Sequence, residues 1–197
     1  MIWSPKKRIA LIDGDIIVYS SAWVGQSEKT ALLAVKSAKE MLLNIRETLN
    51  LNDYRLFLSG PDNFRKALDP EYKANRKDQV HPTYLQHVRC YLQRAWGAEV
   101  AKGEADDIIA DNHSNETVIV SIDKDFKTLP GWIYNWKKYS LDYISADEAR
   151  YNFWVQMLEG DRADNVKGIP GIGPVKAKKI LDGIRIDRLG EMVYHQY

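Results

Sequence analysis

Two short apolar runs in the sequence each end in acidic residues, and this pattern limits the fold more than any other feature. The first run, "RIALIDGD", ends at Asp13, and the second, "ETVIVSIDKDF", ends at Asp123 and Asp125. Both runs are rich in β-branched residues, which is typical of buried strands. We therefore expect two strands that carry carboxylates at their carboxyl ends.

Segments with helical periodicity alternate with these runs. "TALLAVKSAKEMLLNIRETL" has apolar residues at three- and four-residue spacing, and "TYLQHVRCYLQRAWG" predicts a second helix that Gly97 ends. "YRLFLSG" predicts another strand, and "AEVAKG" gives a weak strand signal. The alternation predicts an α/β fold with a mainly parallel sheet flanked by helices. Open sheets of this kind bind ligands beyond the carboxyl ends of their strands, where Asp13, Asp123 and Asp125 would converge.

The composition narrows the chemistry. The 197 residues are 45% apolar, which is enough for one main domain with a sizeable core. Cys90 is the only cysteine and the four histidines show no ligand spacing, so a disulfide framework and a thiolate zinc site are not expected. No apolar run reaches the roughly 20 residues of a membrane span. We expect a soluble globular protein without a membrane partner.

A first metal site is predicted around "EADDIIADN". Glu104 and Asp107 are three residues apart on a predicted helix, and Asp106 lies beside them. The helix macrodipole favours acids in a first turn, but capping needs only one of the three. Asp13 could meet them from the end of its strand. Capping explains one acid but not three, and "EADD" taken alone fits a metal site and a helix start about equally.

A second metal site is predicted from two pairs of acids. Asp123 and Asp125 would share one face of a strand, and Asp161 and Asp164 in "GDRADN" would share one face of a helix. Taken alone, "DKD" is a weak signal and more often a strand-end turn, and "GDRADN" is compatible with a helix cap. Oxygen ligands without His or Cys suit Mg²⁺ or Mn²⁺ ions. Two such ions held about 3.5–4 Å apart can catalyse hydrolysis of a phosphodiester.

Basic segments flank this acidic centre. In "PEYKANRK", Lys73, Arg76 and Lys77 would lie on one helical face beside Tyr72, where they could bind a phosphate while the ring stacks on an unpaired base. An ordinary solvated helix face is the alternative. Further along, "GIPGIGPVKAKKIL" has glycines that would leave backbone amides uncovered before a helix whose N-terminus can receive a phosphate. The residues singled out in this second segment are Gly168, Gly171, Gly173, Lys176, Lys178 and Lys179.

These motifs occur in an order that resembles a known family. "LIDGD", "PEYKANRK", "EADD", "SIDKDF" and "GDRADNVKGIPGIGPVKAKKIL" are similar to the motifs of the bacteriophage and bacterial 5′ nucleases, the flap endonuclease and 5′-3′ exonuclease family. The resemblance implies a PIN-like fold, two-metal hydrolysis of DNA and a helix-hairpin-helix element that binds duplex backbone. It implies that Lys73 and Arg76 contact the scissile phosphate in a helical gateway, and that the hairpin loop carbonyls can bind K⁺. Its first-metal acids match Asp13, Glu104, Asp106 and Asp107, and its second-metal acids match Asp123, Asp125, Asp161 and Asp164.

The resemblance also fixes the remaining expectations. We expect a catalytic core over residues 1–150 with the gateway around 64–95, and a helix-hairpin-helix region over 151–197. The partner would be DNA with a 5′ end or flap, and also RNA–DNA hybrid, bound by a monomer in the cytoplasm, or the host cytoplasm if a phage encodes the chain. A PIN-type ribonuclease and a non-catalytic DNA-binding accessory protein are the alternatives. The roles of Asp15 and Asp62 stay open.

Overall fold

The computed structural model describes residues 8–183, which form two compact units. Within the described residues, the first unit takes the chain up to Asn63 together with Val80–Phe126 and Gly131–Tyr143. The second takes Phe64–Gln79, Lys127–Pro130 and the chain from Ile144 onward. The single boundary predicted at residue 150 therefore differs from this division, because part of the predicted gateway belongs to the second unit. Residues 184–197 of the predicted hairpin region lie outside the described residues.

A six-stranded sheet forms the centre of the first unit, with the strand order β3-β2-β1-β4-β5-β6. The pairs β2–β3, β1–β2, β1–β4 and β4–β5 are all parallel, and Ile12 of β1 lies between Leu56 and Val120. The predicted α/β architecture is thus confirmed. The strands are β1 (Ile9–Asp13), β2 (Asp53–Leu58), β3 (Glu99–Val100), β4 (Thr117–Val120), β5 (Gly131–Asn135) and β6 (Ser140–Ile144).

The central strands are apolar along their whole length because both faces of the sheet are covered. Alternate residues such as Ala10 and Ile12 belong to the main core cluster, to which three helices of this unit also contribute side chains. Leu11 and Phe57 point to the opposite face by the two-residue strand repeat, and they are equally buried. The helices of this unit are α1 (Gly14–Ser27), α2 (Ala31–Leu49), α4 (Leu85–Trp96) and α5 (Ala105–Asn112).

Two glycines set the entry and exit of these helices. Gly14 opens α1 directly after β1, and a Cβ there would lie 2.6 Å from the Phe57 carbonyl oxygen, so only glycine allows this approach to β2. Gly97 ends α4 in the left-handed conformation with φ of 66°, as its position in the sequence predicted. The strand-to-helix turn therefore places Asp13 and Asp15 at the carboxyl edge of the sheet.

The second unit is mainly helical. It contains α3 (Arg65–Leu68), a 3₁₀ helix at Ala74–Arg76, α6 (Ala146–Glu159), the short antiparallel strands β7 (Gly160–Asp161) and β8 (Val166–Lys167), and α7 (Pro174–Asp182). Val155 and Leu158 of α6 pack with Ala177 and Leu181 of α7 in a small core of their own. Among the helices of residues 8–183, none combines the length and apolar character that crossing a membrane requires.

Three local predictions were wrong. The "PEYKANRK" segment is not an α-helix, because Lys73 adopts a left-handed conformation with φ of 54° before the 3₁₀ turn. "GDRADN" is a β-hairpin instead of a helix, with Asn165 left-handed at φ of 59°. The strand of "ETVIVSIDKDF" ends at Val120, so Asp123 and Asp125 do not share a strand face.

Candidate active site

Three carboxylates meet at the start of α5. Glu104 is the N-cap residue in an extended conformation, and Asp106 and Asp107 lie in the first helical turn. One oxygen from each carboxylate lies within 4.8 Å of the others, a separation at which a single cation can contact all three. This grouping confirms the proximity that the three-residue spacing predicted.

Asp13 lies at the end of β1 and is 7% exposed. The Ser121 hydroxyl donates to Asp13 Oδ2 at 2.9 Å, which favours the ionised carboxylate. Burial outweighs this bond and, together with the charges of Asp15 and Asp123, raises the pKa of Asp13 to about 7. Among residues 8–183, the three acids of α5 are the group within 4.8 Å, and Asp13 is not part of it.

Asp123 lies in the turn that follows β4, and Asp125 begins a 3₁₀ helix, Asp125–Thr128. The backbone amide of Asp123 donates to Ser121 Oγ at 3.1 Å, and the amide of Asp125 donates to Asp123 Oδ1 at 2.9 Å. These side-chain-to-backbone bonds replace the strand ladder, which is the reason that the strand ends early. Ser121 thereby links the acid of β1 to the acids after β4, a role that the sequence interpretation missed. A serine between a strand and "DKD" was the only local signal.

Asp161 and Asp164 both belong to the second unit. Asp161 is buried, and its Oδ1 accepts a hydrogen bond from the Ala163 amide at 2.7 Å, which stabilises the turn of the β7–β8 hairpin. That Asp161 and Asp164 complete a metal site with Asp123 and Asp125 stays a prediction.

Asp164 contacts the two cations that the sequence assigned to a phosphate. Lys73 Nζ lies 3.5 Å from Asp164 Oδ2, and the Arg76 guanidinium forms an ion pair with Asp164 Oδ1. The Tyr72 hydroxyl also donates to Asp164 Oδ2 at 2.9 Å. We call this group, Tyr72, Lys73, Arg76 and Asp164, the Asp164 cluster.

The Asp164 cluster changes the role expected of Tyr72. Its side chain is buried, and Lys73 Nζ lies 4.9 Å from its ring centroid, so the ring does not offer the exposed stacking face that the sequence predicted. Lys77 follows the 3₁₀ helix and is exposed. Backbone contacts fix the same segment, since the Lys73 amide donates to the Asp164 carbonyl at 2.8 Å and the Asn75 side chain donates to the Arg162 carbonyl at 3.0 Å.

The glycine-rich turn before α7 divides into two parts. Gly168 packs closely, since a Cβ there would lie 2.2 Å from the Glu159 carbonyl carbon. The prediction that its backbone is uncovered is therefore wrong. Gly171 and Gly173 are open, with nothing within 4 Å of a Cβ at either position. Lys176 Nζ donates to the Gly171 carbonyl at 3.0 Å. Lys178 and Lys179 lie exposed on α7.

Asp15 and Asp62, whose roles the sequence left open, differ in their surroundings. Asp15 Oδ1 pairs with Arg89 Nη1 at 2.9 Å, and its Oδ2 accepts from the Ser59 amide at 2.8 Å. Asp62 is exposed, and its backbone amide donates to the Lys102 carbonyl at 3.3 Å. Asp15 thus belongs to a hydrogen-bonded network with Arg89 and Ser59 at the carboxyl edge of the sheet.

Comparisons with known proteins identify the family. The family described as "5'-3' exonuclease, N-terminal resolvase-like domain" matches residues 8–150. The chain belongs to this family. The match covers the acids of the first unit together with Lys73 and Arg76, while Asp161, Asp164 and the hairpin lie beyond it.

Two relatives illustrate how this 5′-3′ exonuclease family member compares in sequence. It is 32% identical over 136 residues to the flap endonuclease Xni of Shewanella pealeana, which is 60% of this chain and 53% of that protein. It is 35% identical over 124 residues to an exodeoxyribonuclease of Enterobacteria phage T3, which is 56% of this chain and 41% of that protein. The chain thus spans about half the length of the relatives it matches.

A solved structure extends the likeness of the fold. The bacteriophage T5 D15 flap endonuclease, in a pseudo-enzyme-product complex with DNA and metal ions, superposes with a TM-score of 0.71 at 18% identity. The likeness covers 89% of this chain and 75% of that one. The PIN-like fold predicted for this 5′-3′ exonuclease family member is therefore confirmed.

Proposed function

We propose that the chain is a divalent-metal-dependent 5′ nuclease that hydrolyses DNA phosphodiesters at a free or flapped 5′ end, as a 5′-3′ exonuclease and flap endonuclease in phage or bacterial DNA replication. One observation carries the proposal: Glu104, Asp106 and Asp107 bring carboxylate oxygens within 4.8 Å of one another in a chain of the 5′-3′ exonuclease family. The named activities of the relatives support it.

The donor set fits hard cations. Every candidate ligand is a carboxylate oxygen, the ligand that Mg²⁺ and Mn²⁺ prefer. Within residues 8–183, the group of close acids includes no cysteine. Two such ions, when bound, would activate a water and stabilise the leaving oxygen. The residues proposed to hold the first ion are Asp13, Glu104, Asp106 and Asp107. Those proposed to hold the second are Asp123, Asp125, Asp161 and Asp164.

Lys73 and Arg76 are proposed to bind the scissile phosphate. Both already contact an anionic group, the Asp164 carboxylate, and the Arg76 side chain is 44% exposed. A phosphate oxygen is the same kind of acceptor, and a guanidinium can bind it with two parallel hydrogen bonds. Phosphate binding would therefore take place by exchange with Asp164.

The region around α7 is proposed to hold the uncleaved duplex. Gly171 and Gly173 leave room for close approach of a phosphate to the backbone, and Lys178 and Lys179 add positive charge. K⁺ at the loop carbonyls, where it would compete with the Lys176 ammonium, and binding of RNA–DNA hybrid by a monomer belong to the same proposal. The T5 D15 complex with DNA supports the assignment of DNA as the partner.

A panel of end-labelled substrates tests the proposal. We expect Mg²⁺-dependent release of 5′ products from 5′-flap and nicked DNA, with no release in EDTA. Asp123→Asn and Asp125→Asn should each abolish release, because a carboxamide is a poor ligand for a hard cation. Full activity of both variants would reject the proposal. Cleavage of matched RNA flaps in preference to DNA flaps would favour a PIN-type ribonuclease, and binding without cleavage would favour an accessory protein.

A further inference from the structure

The chain that leads into α5 is fastened to the segment that follows β2. The Ala101 amide donates to the Leu58 carbonyl at 2.8 Å, and the Gly60 amide donates to the Gly103 carbonyl at 2.7 Å. A Cβ at Gly60 would lie 2.0 Å from the Ala101 carbonyl oxygen, so only glycine permits this contact. The backbone just before Glu104 therefore has little freedom to move independently of β2.

Ser59 connects this segment to the first turn of α5. Its Oγ accepts a hydrogen bond at 2.9 Å from the amide of Ala105, the first residue of the helix. The N-cap residue, Glu104, makes no capping bond with its own side chain. From the segment that follows β2, Ser59 thus supplies an acceptor for one of the amides that the first turn of a helix leaves without an intrahelical partner.

Arg89 and Asp15 hold Ser59 in turn. The Arg89 guanidinium uses Nη1 for Asp15 Oδ1 at 2.9 Å and Nη2 for the Ser59 carbonyl at 2.7 Å. The Ser59 amide donates to the other Asp15 oxygen at 2.8 Å. A planar fork is needed for this pair of bonds, since an ammonium group lacks its geometry. Arg89 belongs to α4 and Asp15 to α1, so the network locks two helices to the end of β2.

We infer that Ser59, Asp15 and Arg89 are positioning residues that hold the carboxylates of Glu104, Asp106 and Asp107 close enough together to bind a divalent cation. Fraying of the first helical turn would separate the three carboxylates, whose like charges repel one another. The bond from Ala105 to Ser59 opposes this fraying at its first amide. The inference rests on the proposed function only in taking this acidic cluster as the cation site.

The test measures binding of Mn²⁺ alone to the full chain without DNA, with free Mn²⁺ followed by electron paramagnetic resonance. We expect Ser59→Ala to raise the Kd of the tightest site by about tenfold, the effect typical of residues that orient metal ligands. Ser59→Thr keeps the hydroxyl and should restore the affinity. Ser145→Ala is the matched control, since Ser145 Oγ accepts from the Glu148 amide at the start of α6 in the second unit. It should leave the Kd unchanged.

Arg89→Lys provides a second variant in case Ser59→Ala does not fold. A lysine keeps the positive charge beside Asp15 but cannot bridge Asp15 and the Ser59 carbonyl together, so we expect a threefold or larger rise in Kd. Wild-type affinity in both Ser59→Ala and Arg89→Lys would overturn the inference, as would an equal loss in Ser145→Ala or an absence of Mn²⁺ binding by the wild type.

Cleavage assays separate this inference from the proposed function. A wild-type protein that binds Mn²⁺ through a Ser59-dependent site but cleaves no DNA would support the inference and reject the nuclease proposal. Mg²⁺-dependent cleavage by wild type and Ser59→Ala alike, with equal Mn²⁺ affinity, would reject the inference and leave the nuclease proposal intact.

Discussion

The two compact units place their acidic side chains in opposite electrostatic settings. In the first unit, Glu104, Asp106 and Asp107 bring like charges within 4.8 Å, on a helix start fastened to β2. In the second unit, Asp164 contacts Lys73, Arg76 and a tyrosine hydroxyl. The first arrangement brings carboxylate oxygens together at a separation that suits a divalent cation, whereas the acid of the second contacts cationic side chains. A divalent cation could thus bind to the acids at the start of α5. An anionic ligand of the second unit would instead compete with Asp164 for Lys73 and Arg76.

The largest effect should come from the three acids at the start of α5. We expect Asp106→Asn to lower Mg²⁺-dependent cleavage by at least about 100-fold, because loss of a ligand costs more than loss of the residue behind it. Single-turnover cleavage of a 5′-flap substrate gives the rate. Asp111→Asn removes an exposed acid from the same helix and serves as the control, with an expected rate near that of the wild type. Equal rates for the two variants would contradict the site.

The Asp164 cluster should respond with two opposite changes. Asp164→Asn should lower the cleavage rate if Asp164 is a metal ligand, yet in EDTA it should tighten binding of 5′-phosphorylated single-stranded DNA by about two- to fivefold. The reason is that Lys73 and Arg76 would lose a competing anion whose partly exposed ion pairs are each worth up to about 1 kcal/mol. Fluorescence polarisation at constant salt measures the affinity.

A matched charge change tests that interpretation. Asp147→Asn also removes one exposed acid from the second unit, at the start of α6, without touching Lys73 or Arg76. If it tightens DNA binding as much as Asp164→Asn does, then net charge explains the effect and the competition is wrong. Weaker DNA binding by Asp164→Asn in EDTA would contradict the competition directly.

The features that sequence predicted best are those that local periodicity encodes. The strand that ends at Asp13 and the acidic first turn of α5 each follow from an apolar repeat next to charged residues, and both are present. "PEYKANRK" failed because its three- and four-residue spacing involves polar residues only, so no apolar stripe drives it to form a helix. The Asn75 contact with the Arg162 carbonyl instead fixes a 3₁₀ turn.

The supporting network could not be predicted from spacing. Asp15, Ser59 and Arg89 lie 44 and 30 residues apart along the chain, and each is an ordinary residue in its own segment. Only the parallel pairing of β1 with β2 and the packing of α4 bring them together. Charge patterns thus indicated the candidate ligands, while the residues proposed to orient them depend on tertiary structure.

A smaller effect is expected at Asp13, because burial favours the protonated form of this acid. Its pKa is about 7 in the folded chain and 3.8 for an ordinary aspartate, so the folded state binds more protons between these values. Stability of the metal-free protein should therefore fall as pH rises from about 4 to 7, by about 1.4 kcal/mol for each pKa unit, and level off above. Asp13→Asn should remove this decline, as urea unfolding in EDTA at pH 5 and pH 8 would detect.

The smallest expected effect concerns Lys176, a cationic side chain of the second unit. Lys176 Nζ lies 3.0 Å from the Gly171 carbonyl, so an ammonium already occupies a loop oxygen that K⁺ would otherwise contact. We expect duplex binding by the wild type to change less than about twofold when Na⁺ replaces K⁺ at equal ionic strength, and Lys176→Met to acquire a K⁺ preference. Lys178→Met removes the same charge from α7 and controls for the general salt effect. A K⁺ preference in the wild type that Lys176→Met leaves unchanged would show that the ammonium does not take the place of the ion.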